Sequence, residues 1–208
     1  MPNASGELTR ASEVDGLEVL TLPDVTAWES WLAEHHATRE AVWLRIAKKA
    51  SAVRTVDATE GTEVALCYGW IDSHRRGLDA TFFLQKYTPR RPKSAWSKIN
   101  VDRVDALTAA GRMRGAGMMQ VDAAKADGRW ARAYESQRDV TLPPDLAAAL
   151  AATPAAQDAF EALGKTDRYL LILRLAKARS AAARAAQLDK LVGTLAARHG
   201  AEPKEGEI

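Results

Sequence analysis

The sequence predicts an α+β fold: a small antiparallel or mixed β-sheet with helices in the N-terminal two-thirds, then an all-helical C-terminal region. Three observations predict it. Short stretches between Leu17 and Tyr87 carry β-compatible residues or alternate their apolar positions with a period of two. Segments with helical spacing lie between them. Near VTLPPD, Val140 to Asp145, the composition changes, and the chain beyond is Ala- and Leu-rich with no strand signal.

The elements follow in order. Residues 1–16 are polar and are expected to form a flexible leader. LEVLTLP, from Leu17, suits a strand that stops at Pro23. Asp24 can cap a helix through TAWESWLAEHH, on which Trp28, Trp31 and Leu32 share one face. In AVWLRIAKK, Val42, Leu44 and Ile46 alternate with Trp43, Arg45 and Ala47, the pattern of a half-buried strand. TEGTEVALCYG is a short helix ended by Gly69. WIDSHRRGLDATFFLQKYTPRRP gives two strands joined around Arg76–Gly77, the second ended by Pro89 and Pro92, which lack a ladder donor. A helix should begin near Ser94 or Ser97 and break at Gly111, Gly115 and Gly117, with another over Met118–Ala126. Four helices are expected at 144–152, 155–163, 166–178 and 180–198. The expected organisation is therefore a leader (1–16), an α+β domain (17–139), a helical region (140–199) and a disordered tail (200–208).

The 208 residues carry a net charge of only +2 and are 47% hydrophobic and 27% charged, as in an ordinary soluble protein. No apolar run approaches the ~20 residues that span a bilayer, so no membrane insertion is expected. The N-terminus shows no secretory signal, and the single Cys67 excludes an internal disulfide and a multi-cysteine zinc site. A cytoplasmic location is expected. The sequence leaves the oligomeric state open.

The positive charge is local. From Ala80 to Val101 there is no Asp or Glu, while Lys86, Arg90, Arg91, Lys93 and Lys98 give the window +5 against the whole chain's +2. Within it, TPRRPKSAWSKIN places an extended, proline-stiffened basic arm before an expected helix start. Free first-turn N–H groups beside Arg90, Arg91 and Lys93 suit a phosphate or carboxylate. The candidate ligand-binding residues are Arg90, Arg91, Lys93, Ser94, Trp96, Ser97, Lys98 and Asn100, with Trp70 and Asp72 from the preceding strand. Trp96 would supply an apolar wall, or else belong to the core of a merely solvated basic loop. Asp72 falls on the same strand face as Trp70. It would pair with an arginine of the basic arm or act as an acid–base group with Arg90 and Lys93, the Ser94–Ser97 amides stabilising an oxyanion.

Other chemistries find little footing. Cys67 lies in an apolar run, where a free cysteine is usually buried, so a thiol nucleophile paired with His74 is disfavoured. His35 and His36 splay apart on a helix, and His36 with Glu40 lacks further ligands, so no metal site is expected. Neither a glycine-rich nucleotide loop nor a G-x-S-x-G elbow is present. No cofactor is implied. Trp70, Trp96 and Tyr87 among cations would allow nucleic-acid stacking, but the weak overall charge argues against it.

ALCYGWIDS, then LDATFFLQKYTPRRPKSAWSKIN, then AAKADGRW, in this order, resemble the YdeI/OmpD-associated (OmdA-like) family, also described as bacteriocin-protection proteins. LPPDLAAALAATPAAQDAFEAL resembles that family's C-terminal helical region. The resemblance implies a soluble bacterial protein with a role in stress response, in tolerance of bacteriocins or of cationic antimicrobial peptides. It supplies no catalytic residues. One departure is YLLILRLAKARS, more apolar than the polar helix-joining stretch the family leads one to expect. The function expected is binding of a small anionic ligand or an acidic protein segment at the basic arm. An enzyme using Asp72 and a nucleic-acid-binding protein are the alternatives.

Overall fold

The computed structural model describes residues 12–199. The chain divides into two compact units. One holds the residues up to Ser94 together with Asn100–Ala131; the other holds Ala95–Ile99 and the residues from Arg132 on.

The first unit is built on a five-stranded mixed sheet of order β1-β2-β3-β5-β4. Strand β1 (Ser12–Val14) lies in the stretch expected as leader and pairs antiparallel with β2 (Leu17–Leu20). The two-residue turn between them is Asp15–Gly16, with φ of 55° and 71°. Both residues in left-handed backbone define the tight hairpin turn that Asp-Gly favours. Residues 1–11 of the expected leader, and the expected tail, lie outside the described residues.

Helix α1 (Val25–His35) starts as expected: the Asp24 carboxylate accepts the Ala27 N–H at 2.9 Å. The crossover through α1 makes β2 and β3 (Val42–Ala47) parallel. Helix α2 (Ala58–Cys67), capped by Asp57, leads to β4 (Trp70–Gly77). The expected joint at Arg76–Gly77 lies one step later: β4 runs to Gly77, and Leu78–Thr81 connect it to β5 (Phe82–Pro89). A register shift between Asp72 and Arg75 bulges β4. The buried Gln85 of β5 spans it, donating to the His74 carbonyl and accepting from Arg75 Nε.

Cross-strand pairing sorts the faces. Val42, Leu44 and Ile46 of β3 share one face with Gln85 and Tyr87. There Trp28 packs 5.3 Å from Tyr87, and Thr62 lies within 3.4 Å of the Tyr87 hydroxyl, so α1 and α2 cover this face. On the opposite face Trp43 is also buried, in a small cluster with Val19 and Leu84. The strand is therefore more buried than its alternation implied.

Helix α3 (Lys98–Ala109) begins at the later of its two expected starts. Helix α4 (Gly115–Ala126) begins three residues earlier than expected, because Gly115 and Gly117 belong to it. The reason is contact. A Cβ on Gly117 would sit 2.3 Å from the Cys67 carbonyl oxygen, and one on Gly69 (φ 76°) would meet the Ala116 carbonyl at 2.9 Å. Helix α4 thus lies backbone-to-backbone against the turn from α2 to β4.

The second unit is helical, as expected: α5 (Pro144–Ala151), α6 (Pro154–Ala162), α7 (Lys165–Ala176) and α8 (Ala181–His199). Its core gathers Leu146, Leu150, Phe160, Ile172, Leu175, Leu191 and Leu195. Asp145 in the first turn of α5 forms a two-pronged ion pair with Arg184 of α8 at 2.7 and 2.9 Å. Among the described residues no helix is long and apolar enough to cross a membrane.

Candidate functional site: the basic turn after β5

The turn from α2 into β4 positions the first of the expected site residues. Gly69 adopts the left-handed backbone that a side chain would resist, and its carbonyl accepts the Arg90 N–H at 2.9 Å. Trp70 pairs with Pro89 across the sheet, and Asp72 with Tyr87, so Trp70 and Asp72 do share a face. Trp70 is core rather than a free stacking wall: it is 1% exposed, meets Trp31 edge-on at 5.9 Å, and donates its indole N–H to the His36 carbonyl at 3.0 Å. Asp72 is half-buried. Burial, with a smaller contribution from the Asp72 charge, pushes the Tyr87 hydroxyl up to about 12.

Beyond β5 the chain carries Arg90 inward and Arg91 outward. Arg90 is 6% exposed and engaged with a partner. Arg91, Pro92 and Lys93 are exposed. The Arg91 carbonyl accepts the Ser94 N–H at 3.1 Å, closing a four-residue turn with Pro92 second and Lys93 third. Lys93 has φ 67°, a left-handed conformation where a glycine is ordinary. Pro92 has its own φ fixed by its ring at the value the second position of such a turn needs.

A second device holds the turn. The Ser94 carbonyl accepts Arg129 Nη1 at 2.9 Å. Arg129 Nε is held in turn by the Asp127 carboxylate, at 2.7 and 2.9 Å. Asp127 and Arg129 lie in AAKADGRW, so that motif is a brace for the basic turn. Reasoning from the sequence did not assign them. The signal was there, in a carboxylate and a guanidinium two residues apart around Gly128, within a motif already associated with the arm.

The remaining candidates separate. Ala95–Ile99, and with them Trp96, Ser97 and Lys98, belong to the helical unit. There Trp96 is 2% exposed, its carbonyl accepts the Tyr134 N–H at 3.0 Å, and the Lys98 N–H donates to the Tyr134 carbonyl at 2.8 Å. Asn100, in the first unit, accepts from Arg103 at 3.2 Å. The amide cradle expected over Ser94–Ser97 is therefore partly spent. The Ser94 N–H closes the turn, and the Lys98 N–H, first of α3, is bound. Arg90, Ser97, Lys98 and Asn100 all have partners. What the first unit offers outward is the turn Arg91–Ser94 with the exposed cations of Arg91 and Lys93.

Cys67 is buried and burial pushes its thiol up, which keeps it protonated, while His74 lies exposed on β4. Among the described residues no three His, Cys, Asp or Glu side chains gather as a metal site.

Two different family models match the chain. Residues 20–120, which hold β3, β4, β5 and the basic turn, match a domain of unknown function (DUF8412). Residues 139–198 match the family described as Bacteriocin-protection, YdeI or OmpD-Associated. The helical region is thus the part that matches the model of the family that the sequence resembles. The motif-bearing arm, on which most of the resemblance was drawn, lies under the other match. No curated protein and no solved structure matches the chain.

Proposed function

We propose that this is a bacteriocin-protection-like stress-response protein of the cytoplasm that binds a small anionic ligand, or an acidic segment of a partner protein, at the basic turn Arg91–Ser94. The observation that carries the proposal is Lys93. A non-glycine residue held at φ 67° costs roughly 1–2 kcal/mol. Here the turn that holds it is braced by Arg129 and presents two exposed cations in a stretch of 22 residues without an acid. Strain kept at an exposed lysine is what a fixed binding geometry would require. An acid–base role for Asp72 finds less support, because Trp70 and Tyr87 beside it are core and Arg90 is engaged.

The test is a thermal-shift screen of phosphorylated and carboxylated metabolites on the full chain and on the Arg91→Ala/Lys93→Ala variant. Both side chains are exposed, so the variant leaves the core intact. A ligand that raises Tm for the parent and not for the variant is expected. Failure of every anion to stabilise the parent, or equal stabilisation of the variant, overturns the proposal.

A further inference from the structure

The helical unit holds a cleft of about 550 Å³ that takes no part in the basic turn. This lies in the size range of small-molecule sites, ~300–1,000 Å³. Its wall is largely apolar. Phe160 and Ile172, both core residues of the unit, line it together with the half-buried Val140. Lys165 and Arg168, from the first turns of α7, bring positive charge to it, and no Asp or Glu is among its lining residues. Arg138 also lines it but is tied to Asp139 at 3.1 Å.

Arg168 is the informative residue. Its guanidinium lies 5.7 Å from the centre of the Phe160 ring, and Nη2 donates to the Glu161 carbonyl. Its Nε–H is buried and has no acceptor among the described residues. Buried donors are nearly always satisfied, so this guanidinium favours an anionic partner. Arginine's planar fork suits a carboxylate, which supplies two adjacent acceptors. Ile172 comes from YLLILRLAKARS, whose apolar character departs from the family pattern; that departure provides part of the apolar wall.

We propose that this cleft binds a small amphiphile, a single alkyl chain bearing a carboxylate. The chain lies along Phe160, Ile172 and Val140, and the head group meets Arg168 and Lys165. The proposal is independent of the basic turn in the other unit and stands or falls separately from it.

Calorimetric titration of the full chain tests it, with dodecanoate kept below its micelle concentration. Dodecanol, dodecyltrimethylammonium and acetate are the comparisons. Dodecanoate is expected to bind, dodecanol roughly tenfold more weakly for want of a charge-assisted hydrogen bond, and the cation and acetate not measurably. Arg168→Gln should weaken dodecanoate about tenfold and leave dodecanol unchanged. Lys165 is exposed, so Lys165→Gln keeps the fold even if Arg168→Gln does not, and should cost dodecanoate roughly threefold. The proposal is overturned if dodecanoate does not bind, if dodecanol or the cation binds as tightly, or if Lys165→Gln leaves dodecanoate affinity unchanged.

Discussion

Replacing Lys93 by glycine should stabilise the protein while weakening anion binding. Lys93 pays a left-handed backbone cost of roughly 1–2 kcal/mol that glycine avoids. Glycine loses more freedom on folding, roughly 0.5–1 kcal/mol. The lysine side chain is exposed and no hydrogen bond or ion pair of it stands among the described contacts, so little else is lost. The net expectation is a gain of about 0.5–1 kcal/mol. Lys93→Ala is the control: it removes the same charge but keeps most of the strain, so glycine should exceed alanine by roughly 0.5–1 kcal/mol. Urea unfolding followed by tryptophan fluorescence suits the measurement, because five of the six tryptophans (28, 31, 43, 70 and 130) lie in the first unit. The midpoint should rise with the slope unchanged. Loss of more than about 1 kcal/mol in Lys93→Gly would refute the reasoning, since the lysine would then be holding the turn rather than being held by it.

Three further outcomes follow from the packing. Gly117→Ala forces a methyl to 2.3 Å from the Cys67 carbonyl, a backbone atom that cannot step aside; a loss of about 3 kcal/mol or more in urea unfolding is expected. Arg129→Lys keeps the charge but loses the fork that joins Asp127 to the Ser94 carbonyl; amide hydrogen exchange at Ser94 should rise, and anion affinity should fall several-fold. The hydrogen bonds from Arg184 hold the Asp145 carboxyl below its ordinary 3.8, so the pair's contribution is complete above that value and is lost as pH falls through the lower folded one. With the Asp145 side chain 40% exposed, solvent screening limits the contribution to roughly 0.2–1 kcal/mol. The stability gap between the parent and Asp145→Asn should be present at pH 7 and close in strong acid.

Local signals made most of the architecture legible. Asp24 before TAWESWL, the alternation around Val42–Ile46, and the prolines and glycines that punctuate residues 140–199 each act within a few residues, so one sequence carries them. Asp15–Gly16 is a lesson of the opposite kind. The dipeptide is the strongest short hairpin signal, yet it stands in a polar stretch whose composition suits a leader. The start of α4 was not legible. Gly115 and Gly117 look like helix breakers along the chain, and only the carbonyls of Leu66 and Cys67, distant in sequence, explain why glycine is required at position 117. At the candidate site the sequence located the basic arm but could not separate its residues. Arg90, whose N–H donates to the Gly69 carbonyl, is buried, while Arg91 beside it is exposed. The left-handed Lys93 was equally hidden, since Pro-Lys does not announce the conformation that Pro-Gly would.

The most direct measurement of the central claim is a phosphate titration followed residue by residue through backbone amide resonances, at low salt so that screening does not mask the interaction. Saturable shifts centred on Arg91, Lys93 and Ser94, absent in Arg91→Ala/Lys93→Ala, are predicted. Shifts spread evenly over exposed lysines and arginines, or none at the turn, would contradict an anion site there.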